Sequence, residues 1–273
     1  MGALEDEIPS STTGKKRVRR RQLKPSVFLV RDRILLLAIF LGIWELTATW
    51  LVSPLWIGQP SQVAARIWSM ALSGSLWLHT WTTLLEAGLG LLLAFVVGVP
   101  VGILMARFKY GAAVAEPYIM ALYSMPRVAL APLFIIWFGI DLLSKVMMAF
   151  SIVVFIFILN IHEGLKTIDT DLVDLFRTMR APPRYVTRKV LIPWIEPWII
   201  AAMRLAIGSA LIGAIVAELI GSSKGLGWYI ENSAGRLDTT GVFAGITILV
   251  IIAALANSAV GWVERRRLGW RRS

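Results

Sequence analysis

Residues 162–193 read HEGLKTIDTDLVDLFRTMRAPPRYVTRKVLIP, a polar and basic stretch between two apolar runs, Val146 to Ile161 and Ile195 to Ile220. Each run is long enough for a helix, so the stretch must connect two buried or membrane-embedded elements. Its internal punctuation predicts more than a connector. Asp171 to Met179 reads as one short helix, and Ala181-Pro182-Pro183 as a break with proline opening a second. Arg184 to Leu191 is that second helix, ended by Pro193.

Working outward, apolar runs recur at Ile34 to Val52, Thr83 to Met105, Val114 to Ile140 and Val242 to Val263, making six with the two already named. Hydrophobic residues make up 57% of the 273 residues and charged ones only 16%, with a mean hydropathy of +0.70, which excludes a soluble globule. The fold class predicted is all-α, integral to the membrane, with six transmembrane helices. The first run is longer than the apolar core of a signal peptide and ends in Ser53-Pro54 without a cleavage site, so it reads as a retained span. Pro60-Ser61 opens a short amphipathic helix, Gln62 to Leu72, at the outer surface. The organisation is then a basic tail over 1–33, a first span over 34–53, an outer loop over 54–82, a core of five spans over 83–264 enclosing the loop 162–193, and a basic C-terminus over 265–273.

The net charge of +11 does not call for nucleic acid. With the N-terminus inside, all but six of the 28 Lys and Arg residues fall on cytoplasmic segments. Arg66, Lys145, Lys224 and Arg236 are outside, and Arg127 and Arg204 lie within spans. That bias sets the orientation of a polytopic protein. No cysteine is present, which excludes disulfides and thiolate chemistry. His79 and His162 stand far apart without a metal-binding pattern.

Charges inside spans are costly, roughly 2.5 to 3.5 kcal/mol each at a helix centre, so Glu45, Glu86, Arg127 and Glu218 each need a reason. Arg127 sits between Pro126 and Pro132, where the third span should be interrupted and its freed backbone groups must face protein or a water-filled cavity. Two readings remain open: Ser124, Met125, Pro126, Arg127, Glu86 and Glu218 line a translocation pathway, or Arg127 is paired with Glu86, Glu45 or Glu218. The GxxxG patterns at Gly98–Gly102 and Gly241–Gly245 read as close helix packing. Residues 221–227 lack a phosphate-loop motif, and the 12 tryptophans cluster near span ends as interfacial anchors.

The stretch 162–193 resembles the signature loop of permease subunits of type I ATP-binding cassette importers: EAA, three residues, Gly, nine residues, I-x-L-P. Asp174-Leu175-Phe176 stands at EAA, Arg180 at the glycine and Val190-Leu191-Ile192-Pro193 at the closing element. Residues 53–56 and 60–63, Pro132 to Gly139, Arg204 to Gly208, Ala217-Glu218-Leu219 and Gly225-Leu226-Gly227 are similar to the branch that imports taurine, alkanesulfonates, nitrate, bicarbonate or pyrimidine precursors of thiamine. The likeness covers Leu51 to Arg266.

The resemblance implies a bacterial inner-membrane permease, not an enzyme, that carries a small anionic solute. It works with a second permease copy, two ATPase subunits and an extracytoplasmic solute-binding protein. No cofactor belongs to this chain; ATP and Mg would be bound by the partner ATPases. It makes Asp174, Leu175, Phe176, Arg177, Met179, Arg180, Ala181, Pro183, Arg184, Tyr185, Ile192 and Pro193 the ATPase-coupling residues. Leu175, Phe176, Met179 and Tyr185 would be an apolar knob among the cations Arg177, Arg180, Arg184 and Arg188. An amphipathic helix resting on membrane lipid is the alternative for the loop. A carrier using Glu45, Glu86 and Glu218, or a membrane enzyme, is the alternative for the chain. If the backbone at Arg180 needs positive φ, a side chain there costs on the order of 1 kcal/mol.

Both termini are expected to be cytoplasmic. In this cysteine-free chain, a cysteine placed at Thr12 or Trp270 should resist an impermeant thiol reagent added from outside, and one at Ser73 should be labelled; labelling at either terminus would reverse the topology.

Overall fold

The computed structural model describes residues 27–53 and 56–267. The basic run from Lys15 to Arg21, Lys24, the Pro54-Leu55 pair and the last residues of the 265–273 segment lie outside the described residues. Every described regular element is helical. Helix α1 spans Val27–Trp50, α2 Pro60–Leu72, α3 Ser75–Arg107, α4 Lys109–Ser124 and α5 Ala131–Phe138, with a 3-10 turn at Arg127–Leu130. Then come α6 Leu142–Lys166, α7 Thr170–Thr178, α8 Pro183–Val186, α9 Ile192–Ile220, α10 Leu226–Gly235 and α11 Thr239–Arg267.

Four stretches among the described residues are long and apolar enough to cross a membrane: Ser75–Arg107, Leu142–Lys166, Arg184–Ile220 and Thr239–Arg267. Lys109–Ser124 and Arg127–Phe138 together make a fifth, bent by 80° at the interruption expected from Pro126 and Pro132. The run Ile34 to Val52 falls largely on α1. The chain divides into two compact units after Trp44, and the core lies within the second.

That core is built on α6. Its Met148, Ala149, Val153, Phe157 and Ile161 are fully buried. Helix α3 meets α6 with Gly90, Ala94, Gly98 and Gly102, one residue per turn along a single stripe. A Cβ at Gly98 would stand 2.8 Å from the Val154 carbonyl oxygen, and one at Gly102 2.8 Å from that of Ile158. Helix α9 meets the same helix with Ala206, Ala210, Gly213 and Ala214, and a Cβ at Gly213 would lie 2.7 Å from the Ala149 Cα. Gly241 and Gly245, by contrast, pack against Ser233 and Ile230 of α10.

Several expectations shift. Helix α6 continues to Lys166, so the first residues of the 162–193 stretch belong to a span. Pro193 does not end the second loop helix. A π turn over Thr187–Leu191 joins α8 to α9, and the proline sits in the first turn of α9, where its missing N–H costs least. Lys145 is not in an open outer loop but buried in the first turn of α6, its Nζ donating to the carbonyls of Ile140 and Asp141. Three tryptophans are packing groups rather than anchors: Trp198 lies against Gly164, Trp194 Nε1 donates to the Gly164 carbonyl at 3.1 Å, and Trp228 stacks on His79 at 5.3 Å.

Gly98→Val should open the α3–α6 seam and cost about 1–3 kcal/mol by overpacking against backbone that cannot yield. A thermal unfolding midpoint of the purified variant equal to that of the wild type would contradict the packing described.

Candidate functional site

The connection between α6 and α9 is a structured helix-turn-helix. Asp169 Oδ1 accepts the Asp171 amide at 2.9 Å and so caps α7. At the other end the amide of Ala181 donates to the Phe176 carbonyl at 3.0 Å across Arg180, whose φ is +54°. This is a Schellman ending with an arginine at the left-handed position where the importer signature has glycine. The Tyr185 amide bonds the Pro182 carbonyl at 2.8 Å, which starts α8 directly after the turn.

The knob is smaller than the sequence suggests. Phe176 is half-buried, its ring 6.1 Å from that of Tyr185, and so braces α7 against α8. Leu175 and Met179 project from the loop, 54% and 68% exposed. Tyr185, Asp174, Arg180, Arg184, Ile192 and Pro193 are also exposed, and Ala181 is half-buried. The side chains of Arg177 and Pro183 lie outside the described residues.

In the pathway set, Ser124, Met125 and Pro126 are exposed at the 80° bend. Ser124 Oγ donates to the Ala121 carbonyl at 3.0 Å. Arg127 pairs with none of the span glutamates. Its Nη2 donates to the Tyr123 carbonyl at 2.6 Å, and its Nη1 to the Ile152 carbonyl at 2.8 Å. The guanidinium lies over the rings of Phe155 and Tyr123, at 4.8 and 5.2 Å. The arginine therefore satisfies a carbonyl freed where α4 ends and ties the broken span to the middle of α6. Glu45 is occupied elsewhere: its carboxylate accepts the Ser61 amide at 2.9 Å and the Ser61 hydroxyl at 2.7 Å, capping α2.

Glu86 and Glu218 are brought together, 3% and 1% exposed, in the N-terminal half of α3 and near the C-terminal end of α9, beside buried Lys145 of α6. Glu218 accepts the Thr83 hydroxyl at 2.7 Å and the Gly227 amide at 2.6 Å. Thr83 in turn accepts the Leu226 amide at 2.8 Å, and His79 Nδ1 accepts that of Gly225 at 3.2 Å. The turn from α9 into α10 is thus folded onto side chains of α3. Gly225 has a φ of +103° and a Cβ there would strike the Glu218 carboxylate, which explains why Gly225-Leu226-Gly227 carries glycine at both ends. Glu218 was legible in the sequence as a costly charge. Thr83, His79 and Lys145 were not, because only the crossing of three helices makes them neighbours.

Up to five spans among the described residues, one of them bent, and a structured two-helix loop between α6 and α9 define a polytopic helical membrane protein. The family model for the binding-protein-dependent transport system inner membrane component matches residues 98–269, and the chain belongs to that family, the transmembrane permease subunits of ATP-binding cassette importers. The putative aliphatic sulfonates transport permease protein SsuC of Bacillus subtilis is 33% identical over 88% of this chain and 87% of its own length. The formylaminopyrimidine transport permease protein ThiX of Halalkalibacterium halodurans is 32% identical, covering 92% and 96%. The taurine transport system permease protein TauC of Escherichia coli is 29% identical, covering 86% and 87%. Among solved structures, the MetNI methionine ABC transporter in an inward-facing conformation has a chain that superposes with a TM-score of 0.65 at 20% identity, covering 72% of this chain and 98% of that one, a likeness of fold.

Arg180→Gly should relieve the left-handed strain at the α7–α8 turn. The expected gain is about 1 kcal/mol, less the greater freedom of glycine in the unfolded chain. It is measurable as slower proteolysis at the loop with unchanged insertion; faster cleavage would show that the arginine side chain, not the backbone, holds the turn.

Proposed function

We propose that two copies of this chain form the solute pathway of a bacterial inner-membrane importer for a small sulfonate-class anion. Each copy would have six crossings, α1 supplying the first, and both termini in the cytoplasm. Two ATPase subunits dock on the loop between α6 and α9, and an extracytoplasmic binding protein delivers the solute. ATP and Mg are bound by the partner ATPases. Closure of the ATPases moves α7 and α8, the movement passes through the continuous helical path from α8 into α9, and the pathway opens outward; hydrolysis resets it. The solute crosses unmodified.

The observation that carries this reading is the exposed pair Leu175 and Met179 on a loop pinned by a cap, a Schellman turn and the Phe176–Tyr185 contact. A rigid apolar knob suits a protein groove. For the solute, the relatives named for sulfonates and taurine support an anion. So does Arg127, a cation at the bend with no carboxylate partner among the described residues. It acts as fixed positive potential beside the exposed Ser124-Met125-Pro126 segment.

The test is reconstitution of the chain with its ATPase and binding-protein partners in proteoliposomes. Taurine or methanesulfonate should be taken up with ATP. Met179→Asp should release the ATPase, since a carboxylate would be buried unpaired in the contact. Arg127→Gln should keep the complex assembled and lower sulfonate uptake at least tenfold. A wild-type chain that transports without the ATPase overturns the importer reading, and uptake of a formylaminopyrimidine in place of both sulfonates overturns the solute class.

A further inference from the structure

At the cytoplasmic ends of α3, α4 and α6 the chain encloses a cavity of about 340 Å³, lined by residues that include Met105, Lys109, Glu116, His162, Lys166 and Ile168. The coupling loop and the solute pathway use none of its polar groups. His162 is only 3% exposed, yet neither ring nitrogen has a hydrogen-bond partner among the described residues. A buried imidazole left unsatisfied costs on the order of 1–3 kcal/mol, so its donor and acceptor call for an occupant.

The surroundings define the occupant's charge. Helix α4, 16 residues long, begins here, and its first backbone bond runs from the Ala112 amide to the Phe108 carbonyl, leaving the amides ahead of Ala112 at the positive end of the helix. Lys109 stands at that end. Lys166 lines the cavity from α6 between Glu163 at 2.8 Å and Glu116 at 3.8 Å from its Nζ and is taken up by them, so Lys109 is the lining cation with no carboxylate within 4 Å among the described residues. No group of His, Asp or Glu among the described residues is arranged to hold a metal ion.

We propose that this cavity binds a small tetrahedral oxyanion, a phosphate or sulfate group carried by a lipid headgroup or by a free cytosolic anion. His162 and Lys109 hold it, with the first turn of α4 supplying amide donors. Ile168 lines the same cavity one residue ahead of Asp169, the cap of α7. An occupant therefore braces the root of the coupling loop against the α3–α4 corner, and its affinity is linked to the position of that loop.

The experiment uses the assembled importer in nanodiscs of a phosphate-free galactolipid, with inorganic phosphate replacing chloride at constant ionic strength. The thermal unfolding midpoint of the permease should rise, and Lys109→Gln should remove more than half of the rise. Phosphate also strengthens burial in general, so the difference between wild type and variant is the signal. His162→Gln should behave likewise; if it does not fold, the exposed Lys109 position carries the test. A variant-sensitive rise with phosphatidylglycerol in the discs, but none with phosphate, assigns the site to a headgroup. The converse assigns it to a free anion. Equal responses of wild type and Lys109→Gln to both probes overturn the proposal.

Discussion

Helices α3, α6 and α9 approach one another closely because α3 and α9 turn glycine and alanine toward α6. In hydrocarbon there is no water to expel from between two apolar helices, so association rests on van der Waals contact and on polar groups that find partners. Gly90, Gly98 and Gly102 let α6 sit where a Cβ would be, and Gly213 does the same from α9. The Glu86–Glu218 cluster, the root of the loop between α6 and α9 and the seat of the broken span are all positioned by this three-helix seam.

The seam also makes buried charge tolerable at one of its ends. Glu86, Glu218 and Lys145 come from three different helices and meet only because those helices are close. Glu218 then receives the amide of Gly227 and the hydroxyl of Thr83, so the α9–α10 turn has most of its polar groups satisfied away from water. At the opposite end the seam runs into α6 and α9 as they leave the core, with Trp194 and Trp198 clamped on Gly164. The helix-turn-helix between them therefore has firmly packed roots.

Arg127 shows how one side chain can settle a break inside a span. The interruption at Pro126 frees carbonyls that lipid cannot satisfy, and the guanidinium takes those of Tyr123 and Ile152 with two of its donors. It remains charged while doing so, because carbonyls are dipoles and do not neutralise it.

Much was legible in the residues alone. Hydropathy predicts apolar helices, because a helix satisfies its own N–H and C=O groups in lipid, and up to five of the six expected spans are found among the described residues. Proline placement predicts the broken third span and the two-helix loop, and glycine spacing predicts tight seams, since both act locally on the chain. Partners across space were not legible. Glu45 as the cap of α2, Arg127 on carbonyls instead of a carboxylate, Lys145 buried beside Glu86 and Phe176 turned onto Tyr185 all depend on which helices cross and at what depth. A span sequence specifies that a charge must be compensated; only the tertiary packing decides which backbone or side chain compensates it, because hydrogen bonds and ion pairs act over a few ångströms while the residues that supply them lie tens or more than a hundred positions apart.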